Sequence, residues 1–293
     1  MIYDPLLVDR LTAINLDDVL SALGWDHLHY GKALLSWPFR GLARRFACQV
    51  LDVDHAVGER GLQAGSRYFL DGILKGLVVE GQQNIPASGP VLILSNHPGL
   101  MDTVALFASI PRSDLRIVAA ERPFLRVLPS FDPLLIYVPE DDRDRFGVLR
   151  AVAARLRAGG AVLTFPAGHI EPDPDVLPGA AAALADWSPS IGVFARLEPA
   201  AQLIPAIVSG VLSPRATFHP LTHLRRKRLD RERLGATIQI MASVFWPALW
   251  PELWKVTIRV CFGEPIPAAE LIPLHDPQAI TRVVVERAGK LLP

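Results

Sequence analysis

Short apolar runs, each closed by a turn, recur along this 293-residue chain with helix-like stretches between them, and they restrict it to one fold class. The runs are LVVEG at 77–81, PVLILSNHPG at 90–99, LRIVAA at 115–120, LLIYVP at 134–139, AVLTFPAG at 161–168, QLIPAIVSGV at 202–211 and KVTIRVCFGEPI at 255–266. The second run fits a buried strand ending at a polar turn, and the others are further strand candidates. Helical apolar spacing marks MDTVALFASI after it, RFGVLRAVAARLRAGG before the fifth run and DPQAITRVVVERAGKLL at the end. Such alternation predicts an α/β fold: a central mostly parallel or mixed sheet covered by helices, with an N-terminal helical region.

We divide the chain into a helical region at 1–76, an α/β domain at 77–270 and a closing helix at 271–293. The first region is expected to break near Pro38 and Gly41 and again around Gly58–Gly65. Apolar residues make up 50 % and charged residues 20 %, which excludes a strongly charged disordered polymer. Thirty basic side chains balance thirty acidic ones, so no global positive field calls for nucleic acid as a partner. Two cysteines, Cys48 and Cys261, permit at most one bridge and form no metal-ligand cluster. The first twenty residues lack a basic start, a clean apolar core and a small-residue cleavage site, so an ordinary cleaved secretory signal is not expected.

Three stretches bear on membranes. Gly235 to Trp254 has one charged residue, Glu252, and three tryptophans, Trp246, Trp250 and Trp254. Its length suits a span, but Pro247 and Pro251 would interrupt backbone bonding. A core-packed helix and an interfacial one both fit it better. Upstream, the block Leu224–Leu234 carries six basic and two acidic residues. It suits either anionic headgroups or a solvated, internally paired helix. Lys32–Leu51 mixes Arg40, Arg44 and Arg45 with Leu34, Leu35, Phe39, Leu42 and Phe46, again compatible with an interfacial helix.

The chemistry concentrates in LSNHPGLMD, Leu94–Asp102. His97 sits between a strand and a helix, and Asp102 follows five residues later. A turn there can bring imidazole and carboxylate together. Histidine suits removal of a hydroxyl proton near neutral pH, and a carboxylate can fix its tautomer. Further along, Phe165, Pro166, Ala167 and Gly168 form a strand-to-turn element whose backbone donors suit a phosphate or an oxyanion. A metal site built from His97 and Asp102 with His169 or Glu171 is the competing chemistry, but no HExxH or compact His/Cys set supports it. P-loop and dinucleotide fingerprints are absent.

With these residues in place, the chain resembles the bacterial glycerolipid acyltransferase family that includes 1-acyl-glycerol-3-phosphate acyltransferases. Its NH-x4-D signature stands here as Asn96, His97, PGLM and Asp102. FPAG at 165–168 resembles the family's FPEG block, LIPAIVSG at 203–210 its proline-containing strand, and FGEPI at 262–266 its final strand and turn. The order of these blocks over 77–266 carries the resemblance. It implies acyl transfer from acyl-CoA or acyl carrier protein, as donor substrates rather than resident cofactors, to an acceptor hydroxyl, with His97 as base and Asp102 as its orienter.

The resemblance implies a lipid acceptor, an acyl carrier protein as a candidate partner, and a peripheral site at the cytoplasmic face of a bacterial inner membrane or in the cytoplasm. The FPAGHIE block departs from the family's FPEGTRS: Ala167 stands at the acidic position and Ile170 at the phosphate-facing arginine. His169 is a polar side chain in an unusual place. Arg122 and Arg143, with Arg145 nearby, are the alternative phosphate ligands, since an arginine fork binds phosphate directionally. Cys48, Cys261, Ser95 and Gly99 are expected to be structural. A catalytically disabled lipid-binding protein of the same fold is the alternative reading.

Overall fold

Val91–Ser95 organises the molecule: all five side chains are buried, and the strand is hydrogen-bonded in parallel on both sides. The computed structural model describes residues 3–25, 32–139, 145–245 and 255–293. Within them lie β1 (Gly76–Glu80), β2 (Val91–Ser95), β3 (Arg116–Ala120), β4 (Leu135–Val138), β5 (Ala161–Thr164), β6 (Gln202–Ser209), β7 (Thr257–Phe262) and β8 (Ile266–Pro267). They form one mixed sheet in the order β1-β7-β6-β2-β5-β3-β4, with β8 alongside β6. The β6, β2, β5, β3 and β4 strands run parallel, β7 is antiparallel to β6, and β1 follows β7.

The helices are α1 (Pro5–Leu23), α2 (Lys32–Arg60), α3 (Leu62–Ile73), α4 (Leu100–Ser109), α5 (Pro123–Arg126), α6 (Arg145–Arg157), α7 (Ala180–Ala183), α8 (Ser190–Leu197), α9 (Pro214–Thr217), α10 (Arg228–Phe245), α11 (Ala268–Leu271) and α12 (Pro277–Gly289). They divide between the two faces of the sheet. Val91 and Ile93 of β2 join a core shared with Leu11 of α1, Leu51 of α2, Leu70 of α3 and Leu106 of α4. Leu92 and Leu94 point the other way, into a core with Leu156 of α6, Ile191 of α8 and Val284 of α12. Burial on both faces is why β2 reads as an unbroken apolar run. Truncating Ile93 to alanine would cost about 2–5 kcal/mol through lost contacts and the cavity left behind.

The helical N-terminal region departs from expectation at one point. No break occurs at Pro38 or Gly41; α2 runs from Lys32 to Arg60 with Pro38 inside it. Proline removes one backbone bond, but Leu42, Ala43, Ala47 and Leu51 are buried along this helix, and that packing outweighs the local defect. The expected second break is present, because Gly61 takes φ +82°, a left-handed conformation that separates α2 from α3. Of the apolar residues in this segment Leu42 is buried, Leu35, Phe39 and Phe46 are partly buried, and Trp37 is 76 % exposed.

The segment Gly235–Trp254 continues α10 as far as Phe245, and its three tryptophans lie outside the described residues. Among the described residues no helix is long and apolar enough to cross a membrane. In the basic block, Arg225 pairs with Asp230 at 3.1 Å, and Leu234 is buried.

Because β2, β5, β3 and β6 are parallel, the segments after Ser95, Thr164, Ala120 and Ser209 all emerge at one edge of the sheet. In open α/β sheets that edge is where ligands bind.

Candidate active site

Asn96 is the first residue past β2, and its side chain extends the sheet. Its Nδ2 donates to Val208 C=O at 2.9 Å, and its Oδ1 accepts from Val208 N–H at 2.7 Å. A primary amide is the side chain that can both donate and accept in this way. With Asn96 only 2 % exposed, this pair fixes the backbone from which His97 departs.

His97 and Asp102 meet. Nδ1 of His97 lies 2.8 Å from Asp102 Oδ2, and the carboxylate is fully buried while the imidazole is 25 % exposed. The approach follows from local structure. Asp102 stands in the first turn of α4, where a carboxylate is favoured by the unpaired amide groups of the helix start. Its Oδ2 also accepts from Gly99 N–H at 3.0 Å, and its Oδ1 takes the N–H and the hydroxyl of Thr103. One side chain therefore both caps the helix and orients the imidazole. Asp102 holds Nδ1, which leaves Nε2 to face a reactant.

Burial disfavours an imidazolium at His97, but the charge and hydrogen bond of Asp102, with Glu171 beyond, outweigh it and raise the pKa above the ordinary 6.5. The Phe165 ring stacks near the imidazole, with centroids 4.5 Å apart and planes tilted by 35°. Two neighbours thus hold the ring: a carboxylate at its edge and an aromatic beside it.

The 165–171 segment follows β5 into the same edge. Phe165 C=O accepts from Gly168 N–H at 3.1 Å, closing a turn in which Gly168 takes φ +71°. Pro166 is buried and its carbonyl accepts from Ser188 N–H at 3.1 Å. His169 is exposed; its Nδ1 sits 2.9 Å from Ala167 C=O, and its Nε2 lies 3.8 Å from Asp186. Glu171 turns back beneath His97. Its N–H donates to His97 C=O, and its Oε2 accepts from His97 N–H, both at 2.9 Å. Behind this, buried Asp173 accepts from Gly210 and Leu212 N–H, each at 2.8 Å, joining this segment to the one after β6.

Of the sequence-derived residues, the fold brings His97, Asp102 and Phe165 together and places Pro166, Gly168 and His169 on the adjoining segment. Arg122 is exposed at the start of α5, in the segment that leaves β3 at the same edge, and its charge reaches Asp18 of α1. Arg143 lies outside the described residues, and Arg145 opens α6. Sequence reasoning weighed Glu171 only as a metal ligand beside His97, not as a partner of its backbone, and Trp187, which donates to Glu171, carried no signal. Among the described residues, no group of three or more His, Cys, Asp or Glu is placed to hold a metal ion. Both cysteines are free, and burial pushes the Cys261 thiol up to about 11.

A family model described as Acyltransferase matches residues 76–186, which hold His97, Asp102 and the Phe165–Gly168 turn. No curated protein matches the chain. Among solved structures, the chain is similar to the crystal structure of the 1-acyl-sn-glycerophosphate (LPA) acyltransferase from Thermotoga maritima. The two are 17 % identical with a TM-score of 0.41, over 98 % of this chain and 96 % of that one.

Proposed function

We propose that this protein is an O-acyltransferase that moves a fatty acyl group from acyl-CoA or acyl carrier protein to a hydroxyl of a glycerolipid-type acceptor, with 1-acyl-glycerol-3-phosphate the first candidate. The observation that carries this reading is the His97–Asp102 contact of 2.8 Å, placed at the ligand-binding edge of the sheet and inside the segment that matches the acyltransferase model.

In this mechanism Asp102 accepts the Nδ1–H of His97, leaving the Nε2 lone pair free. Nε2 removes the acceptor hydroxyl proton as the oxygen attacks the thioester carbonyl. The C–O bond forms, the tetrahedral intermediate collapses with breakage of the C–S bond, and the imidazolium returns the proton to the departing thiolate. Ester and free thiol are the products, and no acyl-enzyme is needed. The backbone N–H of Ala167, in the turn whose Gly168 N–H is already bonded to Phe165 C=O, is the candidate for the oxyanion, and Arg122 for an acceptor phosphate.

We also place the protein at an anionic membrane surface on the cytoplasmic side. Phe218, Leu221 and Leu224 are 62 %, 52 % and 71 % exposed within seven residues, after the β6 segment that borders the site. Arg215, Arg226 and Lys227 are exposed around them. Apolar groups interleaved with cations suit insertion among acidic headgroups.

The deciding experiment pairs acyl-CoA and acylated carrier protein with lysophosphatidic acid, glycerol-3-phosphate, other lysophospholipids and monoacylglycerol, and reads products by mass. Acylated glycerolipid supports the reading. Saturable lipid binding with no product from any pair would favour the disabled lipid-binding alternative, which the Ala167 and Ile170 departures motivate.

A further inference from the structure

Glu171 is a second buried carboxylate beside His97 that the acyl-transfer chemistry leaves unused. It is 2 % exposed, and both of its oxygens are engaged. Oε2 accepts from the His97 backbone N–H at 2.9 Å, and Oε1 accepts from Trp187 Nε1–H at 3.0 Å. In return, the Glu171 N–H donates to His97 C=O at 2.9 Å. The backbone of His97 is thus held from the segment after β5, while its ring is held from α4 by Asp102.

We propose that Glu171 is a positioning residue for His97, fixing the backbone from which the imidazole projects and adding a negative charge that stabilises the imidazolium formed during acyl transfer. This rests on His97 acting as the base. Burying a carboxylate costs several kcal/mol where a neutral amide or a carbonyl could accept the same bonds for less. That penalty is partly offset when the site itself develops a positive charge at each turnover.

The groups facing this pair are Asp102 from α4 and His169 from the same segment as Glu171, with Asp186 beyond His169. Burial pushes the Glu171 carboxyl up to about 7, against the lowering effect of its bonds to Trp187 and His97 and the charges of both histidines. Each charge shifts the other's titration, raising that of His97 and lowering that of Glu171, so the two behave as a coupled pair.

The test is an NMR titration of ring-labelled histidines in the full-length protein, with the His97 signal assigned by its loss in His97→Gln. Glu171→Gln is expected to move the His97 titration to lower pH. It should also lower kcat, by up to about 10²-fold from misorientation, with little change in KM. Trp187→Phe keeps the carboxylate but removes a donor that holds its pKa down, so it should move the His97 titration in the same direction. An unmoved His97 titration in folded Glu171→Gln, or in Trp187→Phe where the first variant does not fold, overturns the inference. The His97→Gln arm separates two failures. Full turnover there overturns the base assignment and this inference with it, whereas lost turnover beside wild-type behaviour in Glu171→Gln overturns the role of Glu171 alone.

Discussion

Asp102→Asn is the perturbation whose outcome follows most directly from the geometry. The carboxylate accepts at both oxygens: Oδ2 from Gly99 N–H and the imidazole Nδ1, Oδ1 from the N–H and hydroxyl of Thr103. An asparagine retains one acceptor. If its oxygen stays on the two Thr103 donors, the NH₂ group faces His97 Nδ1 and forces the tautomer with hydrogen on Nε2. That tautomer has no lone pair at the position where the acceptor hydroxyl must be deprotonated. If the amide flips, the imidazole bond survives but the Thr103 N–H meets an NH₂ group, as the Gly99 N–H does in the first arrangement, while the Thr103 hydroxyl can turn to accept. We expect the first arrangement, the one that blocks the base in serine-protease triads, to dominate in a folded variant. The same carboxylate-to-amide change in serine-protease triads lowers turnover about 10⁴-fold, and we expect about 10³–10⁴-fold here, roughly 4–5.5 kcal/mol of barrier. Steady-state product formation measures the loss, and nitrogen NMR of labelled histidine reads the tautomer. A folded variant with near-normal turnover and hydrogen still on Nδ1 would refute the reasoning.

Three further outcomes follow. Asn96→Ala removes both bonds to Val208 and leaves a buried N–H and C=O unpaired, so urea denaturation should show a loss of about 2–4 kcal/mol; an unchanged midpoint would mean the amide pair does not hold the loop. The Glu171 carboxyl, raised from 4.5 to about 7 by burial, contributes on the order of 3 kcal/mol that is present below pH 4.5 and lost as pH rises through 7. The raised His97 pKa acts in the same sense, so stability should fall from pH 5 to pH 8, and fall less in Glu171→Gln; equal slopes in the two proteins would contradict this. Finally, vesicle flotation should be stronger with anionic lipid, weaken with salt and drop in Leu221→Ser/Leu224→Ser; binding indifferent to all three would remove the surface proposed around Phe218.

The legible parts of this protein are those where one local pattern has one structural solution. Leu92 and Leu94 could not share an unbroken apolar run with Ile93 unless both faces of the strand were covered, and the parallel sheet follows. The His97–Asp102 contact was readable because a strand, a turn and the first turn of a helix place positions five apart within reach. Pro38 misled because proline's local effect is visible in sequence, whereas the packing of Leu42, Ala47 and Leu51 that overrides it is not. Glu171 escaped for a related reason: its bond to His97 joins residues 74 apart, and nothing around it marks the partner. Asn96 stood inside the recognised signature, yet its pairing with Val208, 112 residues away, becomes visible only in the sheet. Arg112 is similar. Its side chain is 3 % exposed, is bound by Asp114 and bonds the carbonyls of Pro86, Gly89 and Gly159, a junction of loops that sequence spacing does not announce.

The central claim is that the His97 imidazole is the base for acyl transfer. Purified His97→Ala, shown by circular dichroism to keep the wild-type fold, should be assayed by product mass with the donor and acceptor that the wild-type protein uses. Removal of the group that takes the hydroxyl proton predicts a loss of at least about 10²–10⁴-fold in kcat with substrate binding retained. Turnover near the wild-type rate from the folded variant would contradict it.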